Sequence, residues 1–204
     1  MKAVQTKVAE EKIDRRVVRS RAAIVSAFER LVVSQPLEKI TVSAVAREAD
    51  VDRKTFYQHF GSIEGLLHAI CDQVVVSVVD EVEREVGGAG KGGASRETTV
   101  HAFFSAIGHA VCSNIVVNRR LFESIPSEVL ISDMRVPLER ELMARGLIKL
   151  DVPEEVTGYY FSYALGGILA VYRTWLTSGG DVPIEEVSQI ATRLALDGIA
   201  DLAI

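Results

Sequence analysis

Eight consecutive residues, Arg53-Lys-Thr-Phe-Tyr-Gln-His-Phe60, crowd several kinds of polar chemistry onto barely two helical turns. Arg53 and Lys54 bring cations, Thr55 and Tyr57 hydroxyls, Gln58 an amide and His59 an imidazole, with Phe56 and Phe60 as the apolar members. A guanidinium can pair as a fork with a guanine edge, and the other groups donate over short range to phosphate oxygens. The segment offers hydrogen-bond donation to a polyanion. A solvated charged helix face, which most helices have, is the plainer reading of the same residues.

The elements around it narrow the choice. Thr41 can cap a short helix whose apolar members are Val42, Val45, Ala46 and Ala49; Asp50 sits at a tight turn, and Asp52 can cap the donor-rich helix over Arg53–Phe60. Two short helices with a turn of about four residues and a donor-rich second helix make a helix-turn-helix. Val42, Val45, Ala46, Ala49, Val51, Phe56 and Phe60 would then pack on a preceding helix over 14–34, whose stripe runs through Val17, Val18, Ala22, Val25, Phe28, Leu31 and Val32 at three-to-four spacing. The polar set is left outward, and Thr41 and Ser43 add hydroxyls at the start of the first short helix.

Charge is divided along the chain. The formal net charge is -5, yet residues 1–60 carry 12 Lys and Arg against 8 Asp and Glu, whereas residues 61–204 carry 11 against 20. A basic head on an acidic body implies that one end meets a polyanion. At 204 residues and 48% apolar content, the chain can build one large domain or two small ones. No apolar run approaches the ~18–20 residues that cross a bilayer, and the charged MKAVQTKVAEEKIDRR start lacks the apolar segment of a signal peptide. A cytoplasmic protein without a membrane partner is expected, with Cys71 and Cys112 as reduced, buried thiols.

The rest reads as helix. Residues 1–13 are expected as a mobile arm. A fourth helix, capped by Ser62, runs to about Glu85; its VVVSVV stretch tempts a strand assignment, but Leu67, Ile70, Val74, Val78 and Val82 hold a helical stripe. Asp80, Glu81, Glu83 and Glu85 oppose the dipole of that helix, so its last turn is expected to fray. GGAGKGGAS is a flexible connector. Further helices are expected at about 97–114, 118–124, 126–145, 153–177 and 183–202. The last two open alike, as DVPEEV and DVPIEEV, with Pro in the first turn and acids at the positive end, and form an antiparallel pair. The expected fold is all-α with about nine helices, divided into an arm and helix-turn-helix head over 1–62 and a larger body over 63–204.

Residues 17–67 resemble the amino-terminal module of the TetR/AcrR family of bacterial transcriptional regulators. The pieces that match are RSRAAIVSAFERLV and ITVSAVAREADVDRKTFYQHFGSIEGLL, with Thr41, Ala46, Ala49, Val51, Thr55, Phe56, Tyr57, Phe60 and Leu66 in the family's order. The resemblance implies a homodimer that places Arg53–Phe60 of each subunit in a major groove of a pseudo-palindromic, double-stranded DNA operator. It assigns phosphate contacts to Thr41, Ser43, Thr55, Tyr57 and His59, and base or backbone contacts to Arg53, Lys54 and Gln58. Two positions depart from the family pattern. Ile63 stands where a phosphate-binding lysine is common, a loss that Arg16 or Arg19 can offset, and Asp50 stands where the turn commonly has glycine.

For the body, the resemblance implies a small-molecule effector and no cofactor. Candidate ligand-binding residues are His101, Phe104, His109, Phe122, Met134, Tyr159, Tyr163 and Trp175, each of which reads more readily as core packing. A dimer interface is expected on the last two helices, where Gly158, Gly166 and Gly167 permit close approach and Val187, Ile190, Leu194 and Leu202 form a stripe for a four-helix bundle. The plainer alternative is that this stripe is the monomer's own core. Gly88 to Gly93 formally satisfies GxGxxG but follows a helix, with no βαβ unit around it. His68-x-x-Cys71 and His109-x-x-Cys112 each place two potential metal ligands on one helix face, yet neither pair need meet the other, and no metal is expected. No nucleophile elbow or paired catalytic carboxylates stand out, so an enzyme is not expected. The function expected is a ligand-responsive transcriptional repressor; the alternative is a helical sensing or protein-interaction module whose head no longer reads DNA.

Overall fold

The structure, a computed structural model, describes residues 15–87, 95–148 and 151–197, and over these the chain is all-α. The helices are α1 (Arg15–Ser34), α2 (Val42–Glu48), α3 (Arg53–Phe60), α4 (Ile63–Gly87), α5 (Arg96–Ser113), α6 (Ile115–Ser124), α7 (Ser127–Ala144), α8 (Glu154–Thr177) and α9 (Ile184–Asp197), with a 3-10 turn at Leu37–Lys39. The expected arm over 1–13, the glycines from Gly88 to Gly93 and Leu202 lie outside the described residues.

The head is built on the α1 stripe. Ile24, Ala27, Phe28 and Val32 are buried against Val45, Ala46, Phe56, Phe60 and Leu66, while Val42, Ala49 and Val51 pack partly buried on the same cluster. Local chemistry starts each element. Thr41 Oγ1 accepts the Ala44 amide at 3.2 Å, Asp52 Oδ1 that of Thr55 at 2.7 Å, and Ser62 Oγ that of Gly65 at 3.0 Å, each satisfying an otherwise unpaired N–H of a first turn. Asp50, at φ 54°, is the one non-glycine residue of positive φ among the described residues, and its short polar side chain tolerates the left-handed turn that separates α2 from α3. Ile63, at the site of the missing lysine, is half-buried against the head core, so it supplies packing in place of a charge.

In the body, α4 packs between α5 and α7, α8 covers α7 and α6, and α9 lies against α5 as well as α8. Three expectations change here. The acidic end of α4 does not fray but continues to Gly87, because tertiary partners hold it: Arg145, just past the end of α7, pairs with Asp80 and Glu83 at 2.5 and 2.8 Å, and His109 Nδ1 on α5 lies 2.6 Å from Glu81. The sixth helix starts at Ile115, because the Asn118 side chain donates back to the carbonyls of Ala110 and Val111 at 3.1 and 2.8 Å and ties its first turn to the end of α5. Val187, expected on a stripe for a partner subunit, is buried with Ala191 in the chain's own core beside Phe104, Tyr172 and Trp175. Gly108 allows that packing, since a Cβ there would stand 2.8 Å from Ser188 Oγ. Ser188 and Tyr172 then both donate to the Phe104 carbonyl, at 3.2 and 2.8 Å.

Candidate nucleic-acid interface

Burial of Phe56 and Phe60 on α1 fixes how α3 rolls, and the residues between them turn outward. Arg53, Lys54, Tyr57 and Gln58 are exposed, as are Thr41 and Ser43 at the start of α2. Arg53 Nη2 donates to Tyr57 Oη at 3.4 Å and its guanidinium lies 6.0 Å from the ring centre, a contact one helical turn long. Thr55 and His59 are half-buried and already engaged, Thr55 Oγ1 donating to Asp52 Oδ2 at 3.1 Å and His59 Nε2 lying 2.7 Å from Ser20 Oγ. These two therefore brace the helix as well as offering donors.

Two α1 residues join the surface without having been read from the sequence. Ser20 holds His59, and the Arg21 guanidinium lies 4.7 Å over the Phe60 ring, adding a cation beside the end of α3. Thirty-nine positions separate Ser20 from His59, and no local signal links them; the stripe of α1 could have placed Arg21 near Phe60 only once the helix crossing was known.

Asp52 carries more than one duty at this surface. The backbone N–H of Thr55, opposed by some desolvation and aided by the Thr55 hydroxyl, holds its carboxyl below the ordinary aspartate range. A carboxyl lowered in the folded state adds stability that is complete above its unfolded value and is lost as pH falls through the folded value. Asp52→Asn, which keeps a capping oxygen, is expected to remove this acid-side loss, and Asp52→Ala to lower the melting temperature at neutral pH. Melting temperature measured against pH for the three proteins checks both.

The candidate effector residues do not converge on one cavity. Phe104 and Trp175 are buried together in the core, where Trp175 Nε1 donates to the Val182 carbonyl at 2.7 Å; Phe122 packs partly buried on that cluster. Met134 packs between α4 and α8. His101 is exposed, His109 is paired with Glu81, and Tyr159 and Tyr163 are 76% and 86% exposed on the outer face of α8. Two of the concavities are a groove of about 390 Å³ between α1 and α6, lined by Ser26, Arg30 and Val117 among others, and one of about 350 Å³ along α6. Of the expected interface residues, Gly167 and Ile190 are exposed, Gly166 and Leu194 half-buried.

The two His–Cys pairs stay apart. His68 Nδ1 lies 3.0 Å from Asp133, and burial together with the Asp133 charge pushes the Cys71 thiol up to about 12, which keeps it neutral and a poor ligand. Cys112 is exposed rather than buried as expected. Among the described residues no three His, Cys, Asp or Glu side chains gather as a metal site would require, and no single helix is long and apolar enough to cross a membrane.

Known proteins resemble this chain in its head and in its overall shape. Residues 24–70 match the family described as bacterial regulatory proteins, tetR family. Over 74 residues the chain is 36% identical to YxbF, an uncharacterised HTH-type transcriptional regulator of Bacillus subtilis (strain 168); that match takes in 36% of this chain and 20% of the relative, so the chain spans about a fifth of that protein's length. Among solved structures, the fatty acid degradation regulator FadR from Bacillus halodurans superposes with a TM-score of 0.63 at 14% identity, covering 89% of this chain and 96% of its own. FadR from Bacillus subtilis in complex with stearoyl-CoA gives 0.59 at 17%, covering 87% and 98%. NalD, the secondary repressor of the MexAB-OprM multidrug efflux pump in Pseudomonas aeruginosa, gives 0.60 at 17%, covering 90% and 96%. At these identities the structural likeness is one of fold.

Proposed function

We propose that this chain, whose residues 24–70 match the family described as bacterial regulatory proteins, tetR family, is a homodimeric repressor that leaves its operator when a small effector binds the body. The observation that carries the reading is the face of α3. Four exposed polar side chains, Arg53, Lys54, Tyr57 and Gln58, stand on a helix locked from behind by Phe56 and Phe60 and capped at its start by Asp52. A short helix with donors on one side is what major-groove reading requires: Arg53 lies in the first turn, nearest base edges, with Lys54 beside it at the DNA backbone, while Thr41, Ser43, Thr55 and His59 reach phosphates. The domains follow from this division, with DNA bound by residues 1–62 and effector binding and dimerisation by residues 63–204.

Dimerisation is supported by α8. Tyr159, Tyr163, Ala164, Gly167 and Ala170 lie exposed along it, together with Ile190 at 41% exposure on α9. Aromatic and small residues along one outward helix face suit close packing against a second copy, and soluble monomers seldom expose such a stripe. Two heads then face successive turns of one side of the duplex, which is why the operator is pseudo-palindromic. Stearoyl-CoA in the FadR complex makes an acyl thioester one candidate effector class here. Whatever its identity, the effector must bind more tightly to the arrangement whose heads are misplaced for DNA, since otherwise no population shifts.

Titrating the full chain with DNA from upstream of its own gene, at several salt concentrations, tests the reading. Preference over scrambled DNA of ~10³-fold or more, with affinity falling as salt rises, is the expected result. Random-site selection that enriches no sequence, together with equal binding to both DNAs at every salt concentration, would sink it.

A further inference from the structure

Four arginines are half-buried among the described residues, and they divide into two kinds. Arg135 and Arg145 pair with carboxylates: Arg135 with Glu139, and Arg145 with Asp80, Glu83 and Glu141. Arg119 on α6 and Arg173 on α8 have no carboxylate partner among the described residues, and the Nε of each is a buried donor without an acceptor. No other buried side-chain nitrogen or oxygen among the described residues is left in this condition. In a chain with 28 acidic against 23 basic side chains, α6 and α8 each carry a half-buried guanidinium with no carboxylate beside it among the described residues.

Both arginines neighbour Phe122, Arg173 by contact and Arg119 by helical spacing. The Arg173 guanidinium stands 6.0 Å from the centre of the Phe122 ring while its Nη2 donates to the Ile125 carbonyl at the end of α6, 2.7 Å away. Arg119 precedes Phe122 by three residues, hence on the same side of α6, and lines the groove of about 350 Å³ with Ile115, Val116, Arg120 and Glu123. Glu123 there is taken by Arg120 at 3.6 Å. Phe122 and Ile115 also pack on the apolar cluster of Phe104, Tyr172 and Trp175.

We propose that the seam between α6 and α8 takes the oxyanion of an amphipathic effector, a carboxylate or a phosphate ester, through Arg119 and Arg173, with its apolar part against Phe122 and Ile115. The guanidinium is the donor suited to this task, because its Nε and one Nη present a planar fork to two oxygens. Here the Nε edges are buried, so the fork opens only if α6 shifts against α8. That requirement joins the site to the head. Val117, two residues before Arg119, is buried in the same cluster as Ile24, Phe28 and Phe60, and Leu121 packs on it. An anion that stabilises the shifted α6 therefore moves a residue of the head core. This inference rests on the repressor reading for its regulatory consequence, though not for binding itself.

The test uses the purified full chain in calorimetric titrations with inorganic pyrophosphate, with decanoate and, as the uncharged comparison, with decanol. At least one anion is expected to bind with a sub-millimolar Kd, at least ten-fold tighter than decanol, and the one that binds identifies the headgroup as phosphate or carboxylate. Arg119→Gln should weaken it at least ten-fold; Arg119 makes no hydrogen bond within the described fold, so this variant stays folded. Arg173→Lys, which keeps the charge but not the fork, should weaken it too. Binding by neither anion, or equal binding by wild type and both variants, overturns the proposal. Operator release by the bound anion, lost in Arg119→Gln, supports the α6 link, and an operator that stays bound at saturating anion overturns that link. Absence of specific DNA binding without any anion counts against the repressor reading instead, and leaves the calorimetric result to decide the site.

Discussion

Replacing Lys54 and Tyr57 together by alanine is expected to lower operator affinity by roughly 10²-fold or more, at about 1–3 kcal/mol for each lost contact, with the melting temperature unchanged. Both side chains are exposed, and neither belongs to the cluster of Phe28, Phe56 and Phe60 that holds the head together. Tyr57 is 47% exposed, and its ring meets Phe56 edge-on at 6.1 Å, so truncation removes a rim contact and leaves the core intact. It also releases Arg53, whose guanidinium rests on Tyr57, and that loss falls on base reading. Lys54→Ala alone should weaken all DNA sequences alike and reduce the salt dependence by about one released counterion. Electrophoretic or fluorescence titrations against operator and scrambled DNA separate the two effects. Unchanged affinity in the double variant would remove α3 from the groove.

Tyr159→Glu combined with Tyr163→Glu is expected to give a folded monomer whose operator affinity is lower by ~10²–10⁴-fold, the advantage that two linked half-site contacts hold over one. The two residues are one helical turn apart on the outer face of α8, at 76% and 86% exposure, so the chain's own core does not depend on them. Across a two-fold axis each new carboxylate faces a copy of itself, and four like charges in an apolar contact cannot be neutralised there. Sedimentation equilibrium and a thermal melt read the two halves of the expectation. A dimer that survives would place the interface elsewhere, with the groove along α6 the next surface to test.

These two surfaces differ in how far they could be seen in the sequence. Thr41, Asp52 and Ser62 act through hydrogen bonds to amides three residues away, and Asp50 through its own backbone, so residue types alone located the starts of α2, α3 and α4 and the turn between α2 and α3. The apolar spacing of α1 and of Val45 to Phe60 likewise determined which side of α3 faces outward, because a helix of known period with one buried stripe has only one remaining face. The helical reading of VVVSVV followed from the same periodicity and overrode β propensity.

Spacing within one helix cannot tell what covers its stripe, and there the tertiary structure decided. Val187 and a partner-facing residue look alike in sequence; only the approach of α5, admitted by Gly108 at Ser188, drew Val187 and Ala191 inward and left Ile190 outside. Tyr159 and Tyr163, expected near an effector, turned out on the surface because α7 and α6 already cover the opposite side of α8. The acid-rich end of α4 was unfavourable by the local dipole rule, yet Arg145 and His109, 65 and 28 residues from the acids they meet, support it as helix. Arg119 and Arg173 carried no sequence signal at all, since being unpaired is a property of what surrounds a side chain. Caps, turns and periodicity are interactions over three or four residues and are written in order along the chain; pairing, burial and its failures are set by which helices meet, and that only the folded body determines.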